Sequence, residues 1–553
     1  MTNEHHQRLW DAVAVLHAKG VRHVVLCPGS RNGPLIQAFA AHPSIAAHSC
    51  VDERSAAYQA LGMAEQLGQP VAVVCTSGTA ALNLAPAIAE AFYQHVPLIA
   101  ITADRPAEWI DQLDGQTVRQ VGVFRNHVKA EFSFPEESPH PDTARHATRL
   151  VNDAVNVAMA HPWGPVHINV ALREPLYLPA GVMPQYPESP KIIEPVAGAT
   201  ILTDGQIDEL RREFVSYENV LILGGQGRRC DQLVEQLSIL STKHWIPVVG
   251  DCVSNLAGVT RLIFIPDQVA ARMPASLAPE LLVTFGRVVV SRRLREFLRA
   301  NKPATHWHIG VEPAADMYQS LTRHILTAPE YLLGILAQSD VVERSYYKRS
   351  LGLAVAFGWD RFRAISHMED HFSEINAVRR LLALLPDNEV IHLGNSLAVR
   401  HVDYAGVPRT VREVFSNRGT SGIDGSVSTA VGHAMAAPEL RHTLIVGDLG
   451  LFYDINGLWR DALPANLRIV VLNNHGGRIF LAIDGPGNNP AALPYFTTPH
   501  ARSAGPVAAM FGLDYTRVTT YPELEAAVRS FHAPAQKPRL VEIDVAPIVE
   551  HPQ

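Results

Sequence analysis

The chain has 553 residues, 47% of them hydrophobic and 18% charged, with a formal net charge of −7 at pH 7. That is material for roughly three domains of about 100–200 residues each, and it excludes long disordered spans. Lysine and arginine are scattered, leaving no footprint for nucleic acid or an acidic membrane surface.

From the N-terminus, MTNEHHQRLWDAVAVLHAKG spaces Leu9, Trp10, Val13 and Leu16 along one helical face and lacks the basic start and apolar block of a signal peptide. VRHVVLCPGS, PVAVVCTSGT and VPLIAITADRP read as strands ending in turn residues, with DERSAAYQALGMAEQLG and TAALNLAPAIAEAFYQH as the helices between them. Such alternation predicts a parallel sheet covered on both faces. The stretch from Leu172 to Val196 is dense in proline and poor in periodicity, which marks a linker. The first domain is therefore expected at 1–182.

Strands in VLILGGQG, WIPVVGD, LLVTFG and ATHWHIG place a second domain at 197–338. GGQG lacks the full G-x-G-x-x-G spacing and a following acidic partner, so it reads as a tight strand-to-helix turn before it reads as a dinucleotide site. His306 and His308 alternate with apolar residues, which favours strand packing over metal ligation. A second break falls near Gln338 to Met368, where charged residues replace the strand runs. Beyond it, NEVIHLGNS, TLIVGDLG, RIVVLNNHGG and PRLVEIDV carry a third unit at 366–553. The expected fold class is α/β, each domain a mainly parallel sheet flanked by helices. The first and third units share an architectural rhythm without a residue-level repeat. The five cysteines, Cys27, Cys50, Cys75, Cys230 and Cys252, are widely spaced and lack a C-x-x-C pair. They suggest neither a disulfide framework nor a zinc site and fit a reducing cytoplasm. No apolar run is long enough to span a membrane.

The chemistry concentrates where two strand runs end. Asp448 follows LIVG and Asn474 follows RIVVL, and in open α/β sheets ligands gather at the carboxyl ends of strands. An Asp carboxylate, an Asn carbonyl and the Gly476 backbone carbonyl make a hard, all-oxygen site of the kind magnesium prefers, alongside substrate phosphates. The plainer alternative is that Asp448 caps the next helix and NNHGG is a turn. In the first domain, Glu53 stands just after a short strand and at a helix start. Its plainer reading is a first-turn carboxylate behind an Asp52 N-cap. CPGSRNG lacks the spacing and lysine of a Walker phosphate loop.

GDL followed by NNHGG resembles the diphosphate and metal motif of thiamine diphosphate enzymes, with Leu449 where the superfamily usually has glycine. CPGSRNGPL, DERSAAYQALGMA, VVCTSGTAALNLAPAIAEA, ITADRPAEW, GQTVRQVGVF, GNSLAVR, SNRGTSGIDG and VGDLGLFYD together resemble one branch throughout. That branch is the 2-succinyl-5-enolpyruvyl-6-hydroxy-3-cyclohexene-1-carboxylate synthase family of the menaquinone pathway. The resemblance implies the three-domain thiamine diphosphate enzyme fold, with thiamine diphosphate and magnesium, or alternatively manganese, as cofactors. It further implies decarboxylation of 2-oxoglutarate and addition of the succinyl unit to isochorismate.

Residue by residue, the resemblance assigns Asp448, Asn474 and the Gly476 carbonyl to the metal. It places Ser396, Ile423, Leu449 and Gly450 against the cofactor, with Glu53 on the cofactor pyrimidine. Ser30, Arg31 and Gln116 would sit near the reacting centre. Arg400 and Arg418 would hold the succinyl carboxylate, while Arg31, Arg105, Arg292 and Arg293 would hold isochorismate. Ile479 and Phe480 would form an apolar wall. A guanidinium suits a dicarboxylate through paired hydrogen bonds, although any one arginine could equally be a solvated surface residue. In SRRLREF the family usually has Lys-Arg where this chain has Arg292-Arg293. The resemblance also implies a homodimer or homotetramer in which Glu53 and Asp448 of different chains face one cofactor. The rival readings are another thiamine diphosphate carboligase or 2-oxoacid decarboxylase, such as an acetohydroxyacid synthase-like enzyme, and a catalytically silent member.

Overall fold

The computed structural model describes residues 6–178, 181–340, 344–366, 372–482, 485–531 and 533–545. The first five residues, part of the expected break near 338–368 and the end of the third expected domain after 545 lie outside the described residues.

Three fully parallel sheets carry the chain. The first contains β1 (His23–Leu26), β2 (Ala46–Ser49), β3 (Val71–Cys75), β4 (Leu98–Asp104), β5 (Ala130–Phe134) and β6 (Val166–Ala171), in the order β2-β1-β3-β4-β6-β5. The second contains β7 (Val220–Gly224), β8 (Val248–Gly250), β9 (Leu281–Phe285), β10 (Thr305–Ile309) and β11 (Arg323–Ile325), ordered β11-β10-β9-β7-β8. The third contains β12 (Val390–Leu393), β13 (Glu413–Phe415), β14 (His442–Gly447), β15 (Leu467–Asn473), β16 (Asp514–Val518) and β17 (Arg539–Asp544). Its order, β13-β12-β14-β15-β17-β16, repeats that of the first sheet strand for strand, which gives the shared rhythm of the two units a topological basis.

The central strands are continuous apolar runs because helices cover both faces: every residue of β3, β4 and β15 is buried. His306 and His308 of β10 both hydrogen-bond the Thr284 hydroxyl on β9, in keeping with strand packing. Between the second and third sheets runs the helix Ser345–Ser366, whose Tyr347, Leu351 and Val355 join the core around β7 and β9.

The first and third units are locked by the helices Glu53–Leu67 and Ser426–Ala436. Two glycines permit the close crossing. A β-carbon on Gly62 would collide with the Thr429 carbonyl, and one on Gly432 with the Gln59 carbonyl. His433 is buried at the same crossing, its Nε2 3.2 Å from Glu65 Oε2 and its Nδ1 3.0 Å from Gln66 Oε1.

Candidate functional site

In the third sheet Gly447 of β14 pairs with Leu472 of β15, so Asp448 and Asn474 leave adjacent strands at nearly the same level. A cavity of about 490 Å³ opens there, at the carboxyl ends of β12, β14 and β15. Asp448 is 2% exposed and opens the helix Asp448–Tyr453. Its Oδ1 accepts from the Leu449 N–H at 2.7 Å and its Oδ2 from the Gly476 N–H at 2.9 Å. The N-cap is Gly447, so Asp448 is a first-turn carboxylate that faces the cavity. Burial raises the Asp448 carboxyl above its ordinary range, against the pull of those two hydrogen bonds and of His500, whose Nε2 lies 3.1 Å from Oδ2.

Asn474 is 5% exposed and donates from Nδ2 to Glu374 Oε1 at 2.9 Å. That bond fixes the amide so that Oδ1 is left buried without any hydrogen-bond partner. A buried carbonyl oxygen in that condition is costly unless something absent from the protein satisfies it. Beside a carboxylate and a glycine carbonyl, the donor set fits a hard divalent cation. Gly476, at φ 145°, has its α-carbon against the Thr497 carbonyl where no side chain fits.

All the third-unit residues singled out in the sequence line this cavity: Ser396, Arg400, Arg418, Ile423, Asp448, Leu449, Gly450, Asn474, Gly476, Ile479 and Phe480. Ser396 immediately precedes the helix Leu397–Ala405 at φ 75°, a region that non-glycine residues rarely occupy outside functional sites. Arg400, one turn on, donates to the Ser396 carbonyl at 2.7 Å. Arg418, 8% exposed, donates from Nη1 to Asn395 Oδ1 at 2.8 Å, and the Asn395 amide in turn donates to the Asn417 and Gly422 carbonyls. Burial and the neighbouring Arg400 guanidinium weaken the hold of Arg418 on its proton.

The loop carrying Arg418 is held from the first unit. Glu90, fully buried, accepts from the Gly419 and Thr420 N–H groups at 2.8 and 2.7 Å, and from Gln94 Nε2 at 2.9 Å. Gln226 of the GGQG turn donates to Gln94 Oε1 and to the Ser416 carbonyl, both at 2.9 Å. GGQG is thus a three-way junction, with Gly225 passing so close to the Arg287 carbonyl that no β-carbon fits.

The first-unit candidates lie elsewhere, along the carboxyl edge of the first sheet, and none lines the cavity. Ser30 and Arg31 follow β1, Glu53 follows β2, and Arg105 follows β4. Asp52 caps its helix by accepting from the Arg54 and Ser55 N–H groups, and it also binds Asn456 Nδ2 at 2.7 Å. The Glu53 carboxylate is thereby released from capping. Arg31, 8% exposed, donates to the Leu172 carbonyl at 3.0 Å and leaves Nε unpartnered, while Arg105 is paired with Asp114 and donates to the Gly115 carbonyl. Gln116 is exposed at φ 54°, its backbone pressed against Gly78. Cys27, Cys50 and Cys75 end β1, β2 and β3 side by side; burial, reinforced for each by the Glu53 charge, keeps these thiols protonated, as small apolar side chains.

The middle-unit candidates lie apart from the cavity. Arg292 and Arg293 lie on the outer face of the helix Arg292–Ala300, where their guanidiniums pair with Glu296 at 2.6 and 3.1 Å, and they do not line the cavity. The residue of that helix that does is Arg295. Glu374, Asn395 and His500 were also missed by sequence reasoning. Asn395 had a signal in its place within GNS; the other two stand in no motif.

Residues 11–129 match the family model described as thiamine pyrophosphate enzyme, N-terminal TPP binding domain. Curated relatives align from end to end. One from Cytophaga hutchinsonii is 39% identical over 97% of this chain and 96% of its own length. One from Bacteroides thetaiotaomicron is 38% identical over 97% and 95%, and one from Desulfotalea psychrophila is 37% identical over 98% of each. All three bear the name 2-succinyl-5-enolpyruvyl-6-hydroxy-3-cyclohexene-1-carboxylate synthase.

Proposed function

The chain belongs to the 2-succinyl-5-enolpyruvyl-6-hydroxy-3-cyclohexene-1-carboxylate synthase family, and from that premise we propose how its residues divide the work of the reaction. It is a thiamine diphosphate-dependent transferase of menaquinone biosynthesis. Its donor is 2-oxoglutarate, which loses carbon dioxide, and its acceptor is isochorismate.

The observation that carries the assignment of the site is the orphaned Asn474 Oδ1 beside the Asp448 carboxylate, in a cavity that also holds arginines. Asp448, Asn474 Oδ1 and the Gly476 carbonyl would hold magnesium, which would neutralise the cofactor diphosphate. Glu374 keeps the Asn474 amide turned the right way. Thiamine diphosphate, when bound, supplies the electron sink that decarboxylation of a 2-oxo acid requires. The protein's own task is to position anions and exclude water. Arg400 and Arg418 neutralise the carboxylate of the donor remote from its keto group. Ile479 and Phe480 wall off the reacting centre. Glu53 would hydrogen-bond a ring nitrogen of the cofactor pyrimidine and hold the proton there. Ser30, Arg31, Arg105 and Gln116 receive the acceptor at the first unit's edge.

This division requires two copies of the chain, because Glu53 stands outside the cavity of its own subunit. Large apolar side chains are exposed on both units: Val51, Leu82, Trp109 and Leu113 on the first, and Tyr453 and Leu481 on the third. Patches of that kind mark association surfaces. We place the enzyme in the cytoplasm, supported by five free thiols and by the finding that no helix among the described residues is long and apolar enough to cross a membrane.

The test is carbon dioxide release by the purified protein with thiamine diphosphate and magnesium. Release should require 2-oxoglutarate and rise strongly with isochorismate. Release from pyruvate in its place would transfer the chain to another carboligase chemistry, and no release from either would favour a silent member.

A further inference from the structure

The helix Arg292–Ala300 begins at Ser291, whose hydroxyl accepts from the Leu294 N–H and donates to Asp267 Oδ1. That anchorage sets the rotation of the helix. Leu294, Phe297 and Leu298 turn into the core, Arg292 and Arg293 turn outward to Glu296, and Arg295 is left facing the cavity. Arg295 is half-buried, and its Nε is shielded from solvent with no hydrogen-bond partner. Arg418 Nε is in the same condition. Arg295, Arg400 and Arg418 are close enough for their charges to repel, and each lines the same cavity.

A cluster of three guanidiniums, two of them with an idle Nε–H, is a poor structural device. Each is partly stripped of water, and the cluster gains no attraction from its own members. None of the nearby carboxylates forms an ion pair with Arg295, Arg400 or Arg418 among the described residues. Burial raises the Asp251 carboxyl to about 6 and also raises that of Asp403. An anion in the cavity would satisfy the unused N–H groups and the excess charge together, and a guanidinium meets a carboxylate through two parallel hydrogen bonds.

We propose that Arg295 is a third carboxylate-binding residue of the donor site, acting with Arg400 and Arg418 on the distal carboxylate of the 2-oxo dicarboxylic acid. The proposal rests on the reading of the reaction given above. It adds to the Arg292-Arg293 pair a middle-unit residue that serves the donor. It makes Arg295 a determinant of selection for a donor with a second carboxylate, since a monocarboxylic 2-oxo acid would leave all three guanidiniums uncompensated.

The experiment compares the full-length enzyme, loaded with thiamine diphosphate and magnesium, with Arg295→Met and Arg295→Lys. The KM for 2-oxoglutarate should rise about 10- to 100-fold in Arg295→Met, the range for a lost hydrogen bond to a charged group. The KM for isochorismate and the kcat should stay within about threefold of the unaltered enzyme on the same scale. Arg295→Lys keeps the charge without the planar fork and should fall between the two; if Arg295→Met does not fold, the same comparison is made on Arg295→Lys. A loss confined to isochorismate, or a proportional fall in kcat for both substrates, would overturn the assignment to the donor. An unchanged KM for 2-oxoglutarate in an enzyme that turns it over normally would overturn the role of Arg295 alone. Absence of 2-oxoglutarate turnover in the unaltered enzyme would overturn the reaction itself.

Discussion

The atom that most constrains the chemistry is Asn474 Oδ1, and its availability depends on a residue that no motif contains. Glu374 Oε1 accepts from Asn474 Nδ2, and Glu374 itself is held on the helix Glu374–Ala383 with its carboxylate 3.7 Å from His401 Nε2. Without that acceptor the amide has no reason to keep its carbonyl oxygen as the free end, since either orientation would leave one polar end unsatisfied. Groups that orient a metal's ligands typically change metal affinity by 10- to 100-fold when removed. Glu374→Ala should therefore weaken magnesium-dependent binding of thiamine diphosphate by about tenfold or more, read by equilibrium dialysis of the cofactor, without reference to turnover. Glu374→Gln keeps an acceptor while removing the charge and should retain most of the affinity. Equal loss in both variants would mean that Glu374 acts by its charge near Asp448; no loss in Glu374→Ala would end the orienting role.

At the scale of elements, the crossing of the helices Glu53–Leu67 and Ser426–Ala436 decides where Glu53 stands relative to its own third unit. Alanine is ordinarily the better helix former by about 1 kcal/mol over glycine. At Gly432 the sign reverses, because the added β-carbon would meet the Gln59 carbonyl oxygen, which is backbone and cannot rotate away. Overpacking of this kind costs about 1–3 kcal/mol or more. Gly432→Ala should accordingly lower the thermal midpoint of the protein, measured by calorimetry, and a rise would show that the helices can separate at no cost. Neither glycine was legible in the sequence, because nothing in QALGMAEQ or STAVGHAM tells which turn meets another helix. The central strands were legible for the opposite reason: VVCTS or RIVVLNN are apolar on both faces and end in turn residues. Edge strands were not. Asp514–Val518 is exposed at four positions, and Glu413–Phe415 and Arg323–Ile325 are three residues long, too short for any period to register. The same limit explains Arg295: SRRLREFLR offers several arginines, and only the rotation fixed by Ser291 and Asp267 decides which one faces the cavity.

For the whole molecule, the split between the two functional surfaces is the most consequential feature. The third-unit residues were found together because GDL, NNHGG and SNRGTSGIDG mark loops at the ends of adjacent strands, and adjacency in the sheet makes them one cavity. The first-unit residues mark a second edge, of a sheet with the same strand order; Asp52 meets Asn456 and Arg54 meets Tyr453 within one chain, yet no first-unit candidate lines the cavity. If the family's reaction needs both, each active site must be built from the first unit of one subunit and the third unit of another. That arrangement can be read out by subunit mixing. Glu53→Gln and Asp448→Asn should each be nearly inactive alone. In a mixed dimer, one site carries both substitutions and the other carries neither. Random exchange between closed two-fold dimers places half the molecules in the mixed form, so activity should return to about a quarter of the unaltered value. Subunits that each contain a whole site would show no recovery on mixing, and the double variant Glu53→Gln/Asp448→Asn mixed with either single variant should show none in both cases. Recovery near a quarter would show that the cavity described here is half of a site, with Glu53 of the partner subunit completing it.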